Sequence, residues 1–247
     1  MIKDITHLGV YAGSRAYGFL TPESDEDIRG VKWKNNLSSL IGLSSIVDHN
    51  SEPKIDTVYH TFRKFVFLLT SDSSFTQLDL LFTKPEDIIE IDQWGQLLIN
   101  ERDSFLAKNG IMNSCTGFAK FQYRFVTRNR PEARAGREGT VVLAEYGKQY
   151  RKAQHHSIRT LWQAIWCLKT GVWPVHVKDF DVDAHNMLMS IKTEALPYEE
   201  WEKLFAKYQQ ETIEAWEKST LPETVDFNKW DKIVIDYNLW LIDLMRK

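Results

Sequence analysis

The residue types that could do chemistry are concentrated near the N-terminus of the sequence. Gly13 and Ser14 closely follow the apolar run Leu8–Tyr11, and ten residues separate Ser14 from an Asp-x-Asp pair, Asp25 and Asp27. A Gly-Ser turn exposes backbone N–H groups and a hydroxyl, which suit a bound phosphate. Aspartates one residue apart on a strand point to the same face, and their oxygens suit Mg²⁺, which binds carboxylates together with substrate phosphates. This spacing predicts a site for a metal ion and phosphate groups.

Asp56 is the predicted third carboxylate of this site. It lies in a short β-prone run, Ile55–Tyr59. Transfer of a nucleotidyl group joins a hydroxyl to an α-phosphorus, and two metal ions about 3.5–4 Å apart assist such displacements. We expect Asp56 to bind the ion that activates the hydroxyl, alone or also as a proton acceptor. Two alternatives stay open: Asp25 and Asp27 form a solvated acidic turn, or Asp79 is the third carboxylate.

A second set of candidates lies on one predicted helix, residues 147–160. The residues that share one face of this helix are Lys148, Lys152, His155 and Arg159, with His156 at the border. A row of cations suits a triphosphate, with lysine as a point charge and arginine as a fork. The row rises about 16 Å, which is longer than one triphosphate. Arg159 is therefore expected to hold another group, either the acceptor or a buried carboxylate. An ordinary solvated helix face is the alternative.

The same half of the chain carries a local excess of positive charge, although the net charge of the whole sequence is −3. Further basic residues here are Lys120, Arg124, Arg128, Arg130, Arg134, Arg137 and Arg151, and the aromatic residues among them include Phe121, Tyr123 and Phe125. Such a surface suits an RNA end, because cations bind its phosphates and rings stack on its bases. Nucleotide phosphates and ordinary surface arginines explain the charge equally well.

Composition indicates a soluble globular protein. The 247 residues are 43% apolar and 26% charged, which is enough for one or two domains. Cys115 and Cys167 form no Cys-x-x-Cys pair, which fits a reducing compartment. The N-terminus lacks the apolar segment of a signal peptide, and no apolar run approaches the roughly 18 residues that span a membrane. We therefore expect a cytoplasmic protein with no membrane partner.

The elements that must position the candidate residues are strands and helices in the first part of the chain and helices in the rest. The predicted strands are residues 5–12, 27–34, 55–59 and 76–82. A short helix is predicted over 15–20, an exposed loop with a short helical piece over 35–54, and an amphipathic helix from Phe62 to near Thr70. Beyond residue 93 helical periods dominate. The predicted fold is α+β. A small mixed-sheet catalytic domain is expected over residues 1–92, and a helical nucleotide- and acceptor-binding domain over residues 93–247.

The N-terminal motifs resemble those of the polymerase-β-like nucleotidyltransferase superfamily. The signature of this superfamily is similar to the spacing Gly-Ser-x10-Asp-x-Asp in this chain. A predicted branch associated with RNA repair has motifs that resemble the fuller wording here, which is Gly-Ser-Arg-Ala-Tyr-Gly-Phe followed by Ser-Asp-Glu-Asp-Ile-Arg-Gly-Val. Lys152, His156 and Arg159 resemble the Lys-x3-His-x2-Arg helix of that branch, whereas Asp79 stands where the branch more often has glutamate. The resemblance implies that Asp25, Asp27 and Asp56 bind metal. Together with the helix face above, it gives the nucleotide-binding set Gly13, Ser14, Arg15, Lys148, Lys152, His156 and Arg159.

The predicted activity is Mg²⁺-dependent transfer of a nucleoside monophosphate from an NTP, with ATP expected, to a hydroxyl. Two Mg²⁺ ions, or Mn²⁺ in their place, are expected on the three aspartates. An RNA 3′ end is the favoured acceptor. The alternatives are AMP transfer to a protein hydroxyl and a non-catalytic nucleotide-binding or antitoxin-like partner protein. The full set of carboxylates argues against the last alternative, because a pure binder has no need of them and neighbouring carboxylates repel.

Overall fold

The chain is described by a computed structural model that covers residues 3–36, 46–52, 54–71, 74–129 and 140–246. The strands are β1 (Ile5–Tyr11), β2 (Glu26–Trp33), β3 (Ile46–Glu52), β4 (Ile55–His60) and β5 (Ile88–Ile91). The helices are α1 (Gly13–Ala16), α2 (Phe62–Thr70), α3 (Thr76–Leu81), α4 (Gln93–Asn100), α5 (Lys108–Arg128), α6 (Thr140–Thr170), α7 (Val177–Phe180), α8 (Val182–Thr193), α9 (Tyr198–Lys218) and α10 (Phe227–Met245). A small sheet followed by a helical region confirms the predicted α+β class.

The five strands form one mixed sheet in the order β3-β4-β2-β1-β5. β2 and β4 are parallel, and the other neighbouring pairs are antiparallel. Leu8 and Val10 of β1 and Val31 of β2 are fully buried, because apolar side chains of the central strands contact the core. The parallel pair matters most for the site, since its register places the two strands that carry candidate aspartates side by side.

The described chain forms two compact units, residues 1–110 with residues 222–247, and residues 111–221. In the first unit a buried histidine, His7, connects the sheet to the C-terminal helix α10. His7 Nδ1 lies 2.8 Å from Asp92 Oδ2, and His7 Nε2 lies 2.8 Å from the Tyr237 hydroxyl. Burial alone would raise the pKa of Asp92, but the hydrogen bond and charge of His7, together with hydrogen bonds from the backbone N–H groups of Gly95 and Trp94, lower the pKa below its ordinary value. Asp92 also caps α4 by accepting from the N–H groups of Trp94 and Gly95.

The second unit is built around α6, against which α8 and α9 pack. The side-chain amide of Gln154 makes two hydrogen bonds with the backbone of Leu196, one donated at 3.0 Å and one accepted at 2.9 Å. Trp201 of α9 donates its indole N–H to the hydroxyl of Ser157 at 3.3 Å. These bonds fix the segment that follows α8 beside the middle of α6.

The prediction of a strand over residues 76–82 is wrong, since Thr76–Leu81 form helix α3. Five consecutive residues of this helix, from Gln77 to Leu81, are buried. A short segment buried on all sides shows neither the alternation of a strand nor the stripe of a surface helix, so periodicity cannot identify it. The short helix predicted over residues 15–20 is Gly13–Ala16 instead.

The prediction of a loop over residues 35–54 is wrong for its second part, which contains β3; residues 37–45 lie outside the described residues. β3 and β5 are the two edge strands of the sheet. The polar sequence of β3, Ile-Val-Asp-His-Asn-Ser-Glu, is typical of an edge strand, where charged and polar side chains discourage pairing with other chains. That composition also makes such a strand look like a loop.

Candidate active site

Asp27 and Asp56 lie opposite each other on neighbouring strands. The parallel register of β2 and β4 pairs Asp27 with Asp56 and Arg29 with Val58. Paired residues on neighbouring strands point to the same face of the sheet, and side chains alternate along each strand. Both carboxylates and the side chain of Arg29, two residues after Asp27, therefore lie on one face.

Arg29 joins the two carboxylates. Its Nη2 donates to Asp27 Oδ1 at 3.1 Å and to Asp56 Oδ2 at 2.6 Å. Its Nη1 donates to two backbone carbonyls, that of Asp56 at 2.9 Å and that of Ile28 at 3.2 Å. The hydrogen bond from Arg29 is the main reason that the pKa of Asp56 lies below its ordinary value; burial opposes it, and the charges of Arg29 and His49 lower it further. Asp56 is therefore ionised at neutral pH.

Asp27 and Asp56 fit a divalent cation. An oxygen of each reaches the same guanidinium nitrogen, so the carboxylates already converge on one positive group, and such oxygens are the ligands that Mg²⁺ takes. Asp25 is exposed, lies one residue before β2 begins, and is not bonded to Arg29. In the part of the chain that the structure describes, no three His, Cys, Asp or Glu side chains are grouped to hold a metal ion. The structure thus brings together two of the three predicted carboxylates.

Gly13 lies directly against Asp27. Its φ of +60° belongs to the left-handed region, and a Cβ at this position would lie 1.9 Å from Asp27 Oδ2. The N–H of Ala12 donates to the backbone carbonyl of Asp27 at 2.8 Å. Both the backbone conformation and the lack of space require glycine here. The predicted phosphate turn, with Ser14 as its next residue, therefore adjoins a predicted metal ligand.

Arg15 is held by an acidic residue that sequence reasoning missed. Its Nε donates to Asp87 Oδ1 at 2.7 Å, and its guanidinium carbon lies 3.6 Å from the centroid of the Tyr11 ring. Asp87 is buried at the end of a 3₁₀ turn, Pro85–Asp87. These contacts fix Arg15 beside the Gly-Ser turn while 38% of its side chain stays exposed, so a ligand can still reach it.

Tyr17 and Asp79 form a second anchor for the turn. The Tyr17 hydroxyl donates to Asp79 Oδ2 at 2.6 Å, and Asp79 is only 4% exposed. Asp79 lies on helix α3, away from the pairing of β2 with β4. Its contact with Tyr17 gives it a structural use, whereas Asp56 is the carboxylate that adjoins Asp27.

The solvent exposure of the predicted cationic face decreases along α6. Lys148 and Lys152 are exposed, whereas His155 and Arg159 are only 4% and 2% exposed. Arg159 Nη1 donates to Gln163 Oε1 at 2.5 Å. Gln163 in turn donates to a backbone carbonyl at 2.9 Å. The face is therefore solvent-accessible in its first part and packed inside the unit in its second part.

The two histidines of this face are neutral at neutral pH. Burial is the main reason that the pKa values of His155 and His156 lie well below their ordinary range, and the charges of Arg159 and Lys192 lower both further. The Nδ1 atom of His156 is buried and has no hydrogen-bond partner among the described residues. Lys192 of α8 belongs to this group, and burial and the charge of Lys152 lower its pKa as well. Sequence reasoning missed Lys192, because only the packing of α8 on α6 brings it here.

Helix α5 presents part of the predicted basic surface. Lys120, Arg124 and Arg128, spaced four residues apart, are exposed, and Phe121 beside them is 64% exposed. Tyr123 is used otherwise, since its hydroxyl donates to Glu202 Oε1 at 2.8 Å and its ring stacks on a tryptophan. The hydrogen bond to Glu202 is the main reason that the pKa of Tyr123 is raised to about 12. The further basic residues Arg130, Arg134 and Arg137 lie outside the described residues.

Helices that combine the length and the apolarity needed to cross a membrane do not occur in the described ranges.

Comparisons with known proteins identify the family. None of the curated proteins compared with the chain matches it. The sequence profile described as RlaP, the RNA repair pathway DNA polymerase beta family, matches residues 6–235. This match covers most of the 247 residues and includes both strands of the aspartate pair and helix α6. It confirms the resemblance to the RNA-repair branch of the polymerase-β-like nucleotidyltransferases. The chain belongs to the RlaP family of RNA repair pathway, polymerase-β-like proteins.

Proposed function

We propose that this protein transfers a nucleoside monophosphate from an NTP to a hydroxyl acceptor in a Mg²⁺-dependent reaction. The observation that carries the proposal is the convergence of Asp27 and Asp56 on one positive group, directly beside the Gly13 turn. Family membership supplies the reaction class. Carboxylates that hold metal ions next to a phosphate-binding turn are the parts that such a displacement uses.

In the proposed reaction Asp27 and Asp56 hold Mg²⁺, with Asp25 as the proposed third ligand. When bound, the metal ions lower the pKa of the acceptor hydroxyl and neutralise charge on the leaving pyrophosphate. The hydroxyl oxygen forms a bond to the α-phosphorus, and the bond from that phosphorus to the bridging oxygen of pyrophosphate breaks. We propose that Asp56 acts as a metal ligand and not as the proton acceptor, and we assign the hydroxyl proton to solvent.

The proposed phosphate-binding groups are the Gly13–Ser14 turn with Arg15 and, in the second unit, the cations of α6. Lys148 and Lys152 are exposed and can meet a triphosphate as point charges. His156 is proposed to donate from its ring, because a neutral imidazole still carries one N–H. Arg159 would reach a phosphate only by releasing Gln163. ATP is the NTP that we propose.

An RNA 3′ end is the proposed acceptor. The family is described by its RNA repair pathway, and helix α5 offers exposed cations at Lys120, Arg124 and Arg128 with an exposed ring at Phe121. Cations that follow a phosphate backbone, together with a ring on which a base can stack, are the usual means of binding single-stranded RNA.

The direct test is to follow label from each α-labelled NTP in the presence of Mg²⁺ or Mn²⁺, RNA with a free 3′ hydroxyl, and mixed cell proteins. We expect label on RNA 3′ ends and release of pyrophosphate. Label on a polypeptide would instead show AMP transfer to protein. Nucleotide binding without transfer to any acceptor would show a non-catalytic partner protein and would overturn the proposal.

Two aspartate variants link the activity to the site. Asp27→Asn removes the charge of a proposed ligand at nearly constant shape, and we expect it to abolish transfer. Asp231→Asn is the matched control, because Asp231 is an exposed residue of α10 and its loss should leave transfer unchanged. Transfer that survives in Asp27→Asn would show that the metal site lies elsewhere.

A further inference from the structure

Arg29 occupies the position where a cation between Asp27 and Asp56 is expected. A single nitrogen, Nη2, bonds to one oxygen of each carboxylate, and the side chains of Arg29, Asp27 and Asp56 are 27%, 27% and 35% exposed. The two aspartates are paired in register on neighbouring strands, so their charges are held close together by the backbone. Like charges at this spacing repel unless a cation lies between them, and the guanidinium supplies that cation.

The other terminal guanidinium nitrogen, Nη1, contacts the backbone of the sheet. Nη1 donates to the backbone carbonyls of Asp56 and Ile28, which do not depend on the state of the carboxylates. The arginine is therefore attached to the sheet by one nitrogen and to the metal-binding oxygens by the other.

We propose that Arg29 is an internal counter-ion of the metal-free protein, and that a divalent cation must displace its Nη2 from Asp27 and Asp56 in order to bind. This inference rests on the proposed metal site. A metal ion and the guanidinium compete for the same oxygens, Asp27 Oδ1 and Asp56 Oδ2. The metal ion carries the higher charge and binds carboxylate oxygens directly, whereas Arg29 is tethered and always present. Arg29 thus stabilises the metal-free protein and weakens its apparent affinity for the metal.

The competition gives Arg29 a role that a merely structural arginine would not have. Its removal should act in opposite directions on two measurable quantities, because the stability of the metal-free protein falls while the affinity for metal rises. An arginine that only orients the carboxylates for the metal would lower both quantities together. The sign of the change in metal affinity therefore decides between the two roles.

The experiment is a calorimetric titration of the full chain with Mg²⁺ alone and with Mn²⁺ alone, together with thermal unfolding in EDTA. We expect Arg29→Gln to bind the metal at least about tenfold more tightly than the original protein. In EDTA its melting temperature should be lower by about 2–4 °C or more, and saturating metal should restore more stability than in the original protein. Lys32→Gln is the matched control, because Lys32 lies on the same strand but on the opposite face, and the variant loses the same charge.

Two further variants keep the outcome decisive. Arg29→Lys retains the positive charge and tests the competition with the metal if Arg29→Gln does not fold. Lysine cannot bond to the carboxylates and to both carbonyls at once. We therefore expect the metal affinity of Arg29→Lys to be above that of the original protein. Asp27→Asn should lose metal binding. Binding that disappears in Asp27→Asn but is unchanged or weaker in both Arg29 variants would overturn this inference and leave the metal site intact. Absence of metal binding in all variants would overturn the proposed metal site itself.

Discussion

Gly13 and Asp27 are so close that a single methyl group on the glycine would lie 1.9 Å from Oδ2 of the aspartate. This distance explains why a glycine opens the Gly-Ser motif ten residues before the Asp-x-Asp pair. The turn must follow β1 directly and also pass over the start of β2, where Asp27 lies, and the bond from the Ala12 N–H to the Asp27 carbonyl holds it there. The proposed phosphate turn and the proposed metal ligand Asp27 therefore belong to one local structure.

Gly13→Ala should damage both stability and the site. A residue other than glycine in the left-handed region costs about 1–3 kcal/mol, and the clash with Asp27 adds to that cost. We expect a loss of about 1–3 kcal/mol or more in the free energy of unfolding, measured with urea, and a large loss of nucleotidyl transfer, because Asp27 must move away from Asp56. Gly117→Ala is the matched control.

Gly117 is exposed on α5, and a Cβ there would meet no atom within 4 Å. Alanine favours the helix over glycine by up to about 1 kcal/mol, so Gly117→Ala should stabilise the protein slightly and leave transfer unchanged. Equal effects of the two substitutions would show that the contact between Gly13 and Asp27 has no special importance.

Tyr17→Phe should destabilise the protein by about 1–3 kcal/mol, because it leaves the buried carboxylate of Asp79 without the hydroxyl that donates to it at 2.6 Å. Urea unfolding of Tyr17→Phe, Asp79→Asn and the double variant measures the coupling between the two residues. We expect a coupling free energy of about 0.5–3 kcal/mol, the range for side chains in contact. Tyr11→Phe is the control, since it keeps the ring that Arg15 stacks on and should be nearly neutral. Strictly additive single effects would contradict the assigned role of Asp79.

The sequence predicts the part of the site that depends on local pattern. Strands β1, β2 and β4 can be predicted because their apolar runs are bounded by turns. Helix α2 can be predicted because the spacing of its apolar residues forms one buried helix face, with Phe62, Phe65, Val66 and Leu69. The fold class follows from these elements and is confirmed. The edge strands β3 and β5 were not predicted, for different reasons. The polar residues of β3 do not alternate as those of a half-buried strand do, and the four residues of β5, three of them isoleucine, are too few to show a period.

The contacts that give the site its electrostatics depend on long-range packing, and local pattern cannot supply them. Arg29 follows Asp27 by two residues, but its bond to Asp56 needs the parallel register of β2 and β4. Arg159 and Lys148 share a face by helical spacing, yet only Arg159 is buried, because other helices cover that end of the face. Arg29 lies two residues after Asp27 and so shares its face of the strand; this spacing is the feature of the sequence from which their contact could have been inferred.

The α5 surface predicts how RNA binding depends on salt. Lys120→Ala/Arg124→Ala should weaken the binding of single-stranded RNA and lower the slope of log K against log salt by about 1.4, because each lost phosphate contact contributes about 0.7. Phe121→Ala should instead cost about 1–3 kcal/mol with little change of slope, since stacking releases no counterions. Binding titrations at several salt concentrations measure both quantities.

Lys203→Ala/Lys207→Ala is the matched control for the α5 variant. These lysines are also exposed and four residues apart, but they lie on α9, and one of them pairs with Glu211. Their loss removes the same number of charges and should change the salt slope little. A decrease as large as that of the α5 variant would show that RNA responds to net charge alone and would remove α5 as its binding surface.

The two histidines of α6, His155 and His156, predict a loss of stability in mild acid. Burial and the charges of Arg159 and Lys192 depress the pKa values of His155 and His156 in the folded protein, whereas an unfolded histidine has a pKa of about 6.5. Below that pH the unfolded chain binds protons that the folded chain does not, so the free energy of unfolding falls as the pH is lowered. Each histidine contributes up to about 1.4 kcal/mol per pH unit between pH 6.5 and its depressed folded pKa.

His156→Gln isolates one of these contributions, because glutamine stays neutral at every pH. In urea unfolding at pH 5.5 and pH 8, we expect the fall in stability between the two pH values to be smaller in the variant by about 1 kcal/mol. Its stability at pH 8 serves as the control, since histidine is neutral there in both states and any difference reports packing alone. ATP should oppose the acid effect, because an anion held by Lys152 and His156 favours the protonated ring. An unchanged pH dependence in His156→Gln would show that the pKa of this ring is the same in the folded and the unfolded protein, and that its surroundings on α6 do not hold it neutral.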